Sequence, residues 1–161
     1  MLRSEYVRDI APRTAVALEK ILREVFPHRD ERNGPRRVLD LGAGTGAAVT
    51  TARSYFGNDL DVVAVDQVPA IAGVRTVDVT DVPALSRLAS AGGPFDLMIA
   101  AHVLNELYLD EAPVQRIARL AALVGRWCQD LLADGGTLIV IEPALRETSR
   151  ALLAVRDHLL A

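Results

Sequence analysis

Gly42, Gly44 and Gly46 recur at every second position directly after Val38, Leu39, Asp40 and Leu41, and a second apolar run, VVAV at 62–65, ends in the carboxylate of Asp66. An apolar strand that enters a glycine loop and opens a helix, beside a second strand ending in an acid, outlines a site for a nucleotide-shaped ligand. The glycines let the backbone turn sharply and approach a ligand closely, and the free N–H groups of the following helix face it.

The loop also narrows the ligand. Its spacing is G-x-G-x-G, and Ala47 stands where a dinucleotide fingerprint would place its third glycine. Asp40, two residues before Gly42, would repel a diphosphate but attract an aminoacyl ammonium. The loop therefore suits S-adenosylmethionine (SAM), whose methionine end carries that cation, better than NAD. Asp66 can accept hydrogen bonds from both hydroxyls of an adenosine ribose.

Four segments, VLDLGAGTG (38–46), VVAVD (62–66), FDLMIAAHVLNEL (95–107) and GGTLIVIEP (135–143), resemble in order the motifs of class I SAM-dependent methyltransferases, over residues 36–143. HVLNEL (102–107) and IEPALRETSRALLAVRDHLL (141–160) further resemble the methyltransferase-like family associated with the mitochondrial small ribosomal subunit and its bacterial relatives. The resemblance implies an α/β, Rossmann-like, doubly wound parallel sheet of strand order 3-2-1-4-5, without the family's usual sixth and seventh strands. The cysteines that hold an iron–sulfur cluster in that family have no counterpart here, so cluster binding is not implied.

Ligands of open parallel sheets sit at the carboxyl ends of the strands. The resemblance assigns Asp40 with Gly42, Ala43, Gly44 and Gly46 to the methionine portion, Asp66 to the ribose, and Asp78 with Val79 to the adenine edge; Gln67 and Ala101, at the strand ends, complete the expected cofactor-binding set. Asp78 has a second reading, as cap of the helix that begins after Thr80. Acceptor-orienting residues of related enzymes follow strand four. If 102–107 is helical, His102, Asn105 and Glu106 stand at i, i+3 and i+4 and share one face. There Asn105 would orient an amino or amide acceptor and His102 or Glu106 would receive its proton. Alternatively His102 bonds only to backbone and Asn105 caps a turn. Glu142 either contacts substrate or pairs with Arg146, four residues on. Arg146 and Arg150 share a face of the last helix, open to a phosphate or to an exposed pairing with Glu147.

The elements that must position these residues follow from periodicity and breakers. Residues 13–26 place Val16, Ala17, Ile21, Leu22 and Val25 on one helical face. With the polar linker 28–37, this helix makes residues 1–35 a helical cap and linker ahead of a SAM-binding domain at 36–161. Next come a helix at 46–56, a strand at 61–66, a short strand at 73–79 and a helix at 82–90. A buried strand follows at 95–101. Pro113 opens a helix to about Ala133, with Val114, Ile117, Ala121, Val124, Cys128 and Leu131 as its core stripe. DGG then turns the chain into a strand at 137–142, and Pro143 precedes a last helix carrying Leu145, Leu152, Val155 and Leu159. Alternating strands and helices predict a parallel sheet. The fifth strand would be an apolar edge, implying a truncated or split domain, or a homodimer that covers it.

Composition sets the outer bounds. The 161 residues are 50% hydrophobic, enough for one domain with a proper core. No run approaches the roughly 18 apolar residues of a membrane span, and MLRSEYVRDIAP lacks the apolar run of a secretory signal, so a cytoplasmic protein is expected. The single cysteine, Cys128, excludes an internal disulfide, cannot alone build a metal site, and reads as a small core residue. A net charge of −3 gives no global field for nucleic acid. Residues 1–37 nevertheless hold nine Arg or Lys against six Asp or Glu. Arg32, Arg36 and Arg37 there fit a solvated loop or an RNA-binding edge. With one Trp, three Tyr and three Phe, a base-stacking platform is not expected. Trp127 either packs across the long helix or sits at an interface, and His28 and His158 read as surface residues.

The leading expectation is a SAM-dependent methyltransferase whose acceptor is ribosomal RNA or a ribosomal component. The alternatives are a small-molecule methyltransferase, and a non-catalytic SAM-binding factor in small-subunit assembly. An NAD-binding oxidoreductase domain is disfavoured by Asp40.

Overall fold

The computed structural model of the chain describes residues 2–27 and 34–161. Its elements are α1 (Leu2–Val25), β1 (Arg37–Leu41), α2 (Ala47–Phe56), β2 (Asp61–Asp66), β3 (Arg75–Thr76), α3 (Val82–Gly92), β4 (Phe95–Ala101), a 3₁₀ turn (Leu104–Glu106), α4 (Pro113–Leu131), β5 (Leu132–Ile141) and α5 (Arg146–Leu160). All strand pairs are parallel and the order is β3-β2-β1-β4-β5, as the resemblance implied. None of the described helices is long and apolar enough to cross a membrane.

Strand alternation divides the core into two layers. Leu39, Leu41, Val63, Val65, Met98 and Ala100 face α3, α4 and α5, where they meet Leu85, Leu120, Val124, Trp127 and Val155. Val38, Leu97, Ile99 and Ile139 face the other way, against Leu18 and Leu22 of α1 and Ala48, Ala52 and Tyr55 of α2. Asp40 shares the parity of Val38. It is thus delivered to the α1/α2 face at the carboxyl end of the sheet's central strand, where it is 1% exposed.

Several helical faces differ from the periodicity reading. The first helix runs through Pro12 to Leu2, and its buried stripe is Thr14, Leu18 and Leu22, while Val16 and Val25 are exposed. The two valines lost to Leu18, whose larger apolar surface sits in the same i, i+4 row as Leu22. In α4 the buried residues are Leu120, Ala121, Leu123, Val124, Trp127 and Leu131; Val114 is 76% exposed, and Ile117 and Cys128 are partly buried against the core. The bulk of Leu120 and Trp127 draws that side of the helix inward. In α5 only Val155 is fully buried, with Leu152 packed beside it; Leu145 and Leu159 are exposed.

Two strands also change length. The segment expected as a strand over 73–79 pairs only at Arg75 and Thr76, because Asp78 folds back onto Thr80 and ends the extended run. The last strand begins at Leu132, not Thr137, and the DGG sequence lies inside it as a register irregularity between the pairings of Phe95 and Leu97, with Gly135 at φ 75°. β5 closes the row at the sheet's edge.

The basic N-terminal segment is only partly described. Arg32 and His28 lie outside the described residues. Arg37 does not contribute a free charge: its guanidinium donates to Leu88 O at 3.2 Å, lies within 3.4 Å of Asp61 and stacks over Phe95. His158 is exposed, as expected, with its ring against Ala154 O. Arg146 forms no ion pair with Glu142 among the described residues.

Candidate functional site

A cavity of about 700 Å³ opens at the carboxyl ends of β1, β2 and β4. Asp40 lies at its floor, and the N–H of Val49 in the first turn of α2 points at this carboxylate. Burial and the nearby charge of Asp66 push its pKa up to about 7, against the partial relief of that N–H. Its Oδ2 is buried without a hydrogen-bond partner. A buried carboxylate oxygen left open at a cavity floor fits a cationic donor, and an aminoacyl ammonium supplies one.

The glycine loop wraps this floor. Gly42 N and Ala43 N both donate to Val65 O at 2.9 Å, and Gly44 N donates to Asp66 Oδ2 at 2.9 Å. Gly42 has φ 73°, and a Cβ there would stand 2.6 Å from Val103 Cγ2, so the residue is fixed by both conformation and space. Gly46, at φ 77°, does not line the cavity: a Cβ would meet Ile71 Cδ1 at 2.5 Å, which makes it a packing and turn residue instead. Gly42, Ala43 and Gly44 do line the cavity.

Asp66 uses both oxygens on the protein, Oδ2 on Gly44 N and Oδ1 on Val68 N at 2.8 Å. Each retains a second lone pair, so the carboxylate ties the two loops together and still faces the cavity. Asp78 Oδ1 accepts from Thr80 N and Thr80 Oγ1, and Oδ2 from Gln67 at 3.3 Å. Capping of α3 falls to Asp81, whose Oδ1 accepts from Ala84 N at 3.0 Å, so the capping reading of Asp78 is corrected. Gln67, Asp78 and Val79 form one wall. Behind it the buried Trp127 donates from Nε1 to Val79 O at 2.9 Å, which settles Trp127 as a core residue.

On the opposite wall the expectation of a shared helical face is overturned. Only Leu104–Glu106 forms a turn, and it is 3₁₀. His102 precedes it with φ 59°, and its Nε2 lies 3.0 Å from Thr14 Oγ1 of α1. Burial lowers the His102 pKa, which favours the neutral ring. Asn105 does not line the cavity. With its amide nitrogen turned to the facing acceptors, it donates to His102 O at 3.0 Å and Glu142 Oε2 at 2.8 Å. Glu142 Oε1 accepts from Leu104 N at 2.7 Å, and Arg116 donates to Leu104 O and Leu107 O, each at 2.8 Å. The 102–107 segment is therefore held from β5 and α4 at once, with His102, Val103, Glu106 and Leu107 lining the cavity next to Ala101.

Three residues here escape a reading of the sequence. Thr14 lines the cavity, and its one signal was a polar residue in the i, i+4 row with Leu18 and Leu22. Tyr108 lines it with φ 54°, under the Arg119 guanidinium at 4.0 Å from the ring centroid. Nothing local in the sequence marks it. Arg116 serves the backbone of a loop nine to twelve residues earlier in the chain, a partnership that spacing does not reveal.

Among solved structures the chain is similar to the MycE methyltransferase from the mycinamycin biosynthetic pathway. One complex, with Mg, SAH and mycinamycin VI, superposes with a TM-score of 0.49 at 23% identity, over 83% of this chain and 40% of that one. Another, with Mg and SAH, gives 0.46 at 21%, over 81% and 34%. The chain thus spans less than half the length of these structures. No curated protein sequence matches it. The family model described as mitochondrial small ribosomal subunit Rsm22 matches residues 4–161. The chain belongs to the Rsm22 family.

Proposed function

We propose that the chain is a SAM-dependent methyltransferase acting on a component of the small ribosomal subunit. The observation that carries the cofactor is the open, buried Oδ2 of Asp40 beneath the glycine loop and before the first turn of α2. Asp40 with Gly42, Ala43 and Gly44 would hold the methionine end, Asp66 and Gln67 the ribose, and Asp78 and Val79 the adenine edge, with Ala101 beside them. When bound, SAM supplies a methyl group on a sulfonium, a good leaving group, so the protein's tasks are alignment and exclusion of water.

His102 and Glu106 are the groups that face an acceptor in this reading. A neutral imidazole can take the acceptor's proton, and its contact with Thr14 fixes the ring's orientation. Asn105 acts at one remove, by holding the His102 carbonyl and Glu142. The ribosomal acceptor rests on the family's description. That description names a ribosomal subunit and no transfer reaction, which favours a second reading, a non-catalytic SAM-binding factor in subunit assembly.

Calorimetric titration with S-adenosylhomocysteine and, separately, with NAD tests the cofactor. Binding of the first alone supports the proposal; binding of NAD alone removes it. Co-sedimentation with small subunits, with no transfer of labelled methyl from SAM, would select the assembly reading.

A further inference from the structure

The charges around the cavity are one-sided. Among the described residues, Asp40, Asp66, Asp78 and Glu106 line it, and no Lys or Arg does. The acceptor-side chain from Ala101 to Gln115 contains Glu106, Asp110 and Glu111 and no Lys or Arg. Two arginines lie just beyond, and both are committed. Arg116 donates to the carbonyls of Leu104 and Leu107, and Arg119 pairs with Glu111 while covering one face of Tyr108. Neither side chain lines the cavity.

A concave site with low-dielectric walls focuses the field of the charges that line it. Here that field is negative. If Asp40, Asp66 and Asp78 serve the adenosyl ligand, Glu106 is the charge left for the second substrate, on the wall that also carries Thr14, His102 and Tyr108. A phosphate brought to this wall would meet a carboxylate and, among the described residues lining it, no Lys or Arg to bind it. An ammonium would meet Glu106 as its counter-ion. The Tyr108 ring is a weaker attractant, because Arg119 already occupies one of its faces.

We propose that the acceptor side of this cavity recognises a protonated amine, with Glu106 as its counter-ion, and excludes phosphate-bearing groups. The inference rests on the SAM reading of the site and narrows its acceptor, within ribosomal components, to an amino group on protein, which binds as the ammonium and gives one proton to His102 before its freed lone pair takes the methyl from the sulfonium.

Sinefungin tests it, because this SAM analogue carries an amine in place of the transferable methyl, whereas S-adenosylhomocysteine carries nothing there. At low ionic strength sinefungin should bind about tenfold tighter than S-adenosylhomocysteine, and in Glu106→Gln the gap should close to within about threefold. High salt should narrow the wild-type gap. On protein saturated with S-adenosylhomocysteine, benzylamine should perturb the Glu106 and Tyr108 resonances and cytidine monophosphate should not. Equal affinities for the two analogues in the wild type, a preference unchanged in Glu106→Gln, or binding of the nucleotide in place of the amine would each overturn the proposal. If neither analogue binds, the SAM reading fails and the inference with it; if S-adenosylhomocysteine binds without a sinefungin preference, the inference alone fails.

Discussion

Glu142, the residue that follows β5, accepts a 2.7 Å hydrogen bond from the backbone N–H of Leu104, 38 residues earlier in the chain. Its other oxygen meets the Asn105 amide, so one half-buried carboxylate fixes two successive residues of the loop that carries His102 and Glu106. Burial pushes the Glu142 pKa up, and the backbone donors of Leu104, Asn105 and Val103 oppose that shift. Glu142 and Asn105 thus shape the cavity wall that carries His102 and Glu106 without lining it themselves.

Removal of this carboxylate should therefore loosen the wall. Glu142→Ala leaves the Leu104 N–H without its partner and should cost about 1–3 kcal/mol of stability. Glu142→Gln keeps an acceptor for Leu104, and the Asn105 amide can turn to present its oxygen, so the loss should be smaller. Urea denaturation measures both, and hydrogen exchange at 103–107 should quicken in the alanine variant well beyond the glutamine variant.

Asp40 makes stability and binding depend on pH in opposite senses. Its folded pKa of about 7 stands above its ordinary 3.8, so the native state holds an extra proton between those values. Stability should fall as pH rises from about 4 to 7, and Asp40→Asn should be more stable than the wild type at pH 8. Affinity for S-adenosylhomocysteine should instead rise across neutrality as Asp40 ionises. In Asp40→Asn that affinity should drop tenfold or more, about 1.4 kcal/mol, and lose its pH dependence. Denaturant titrations and calorimetry at pH 5.5 and 8, with the variant stable and still binding fully at pH 8, would count against an ionised Asp40 as the ammonium's partner.

Gly46→Ala separates packing from ligand contact. The substitution forces an L residue to φ 77° with its Cβ 2.5 Å from the tip of Ile71, and should cost about 1–3 kcal/mol. Because Gly46 does not line the cavity, the affinity of the folded fraction for S-adenosylhomocysteine should change little. Thermal melts with and without ligand distinguish the two effects.

Trp127→Phe removes a buried donor from Val79 O while keeping most of the apolar volume. The loss should be about 1–3 kcal/mol, for the stranded carbonyl and the cavity left by the smaller ring. Affinity should weaken for S-adenosylhomocysteine more than for its methionine fragment, homocysteine, since the disturbed wall is the one assigned to adenine. Paired titrations check that difference.

The parts legible in the sequence are those where one segment decides its own conformation. The glycine loop, β2 and β4 carry such signals, in glycines, apolar runs and the Asp66 strand end, whereas the strand order came from the resemblance to the methyltransferase fold. The narrower resemblance, carried by HVLNEL and the segment from Ile141, agrees with the family match over residues 4–161. Where several residues compete for one buried position, periodicity alone chose wrongly: Val16 against Leu18, Val114 against Leu120. The acceptor wall was the least legible part. His102 leaves helical geometry because its carbonyl is held by Asn105 and its ring by Thr14, both set by packing of α1 and β5. Glu142 spends its charge on backbone rather than on Arg146, a choice that spacing along one helix cannot foresee.

The central claim is that Asp40 meets a cationic amino-acid tail where other nucleotide folds hold phosphate. A crystal structure of the chain with S-adenosylhomocysteine tests it most directly. The account predicts the ligand's amino group within hydrogen-bond distance of Asp40, directly or through one water, and the ribose hydroxyls at Asp66. A complex in which that amino group lies away from Asp40, or one in which NAD places its phosphates against the Gly42–Gly44 loop, would contradict it.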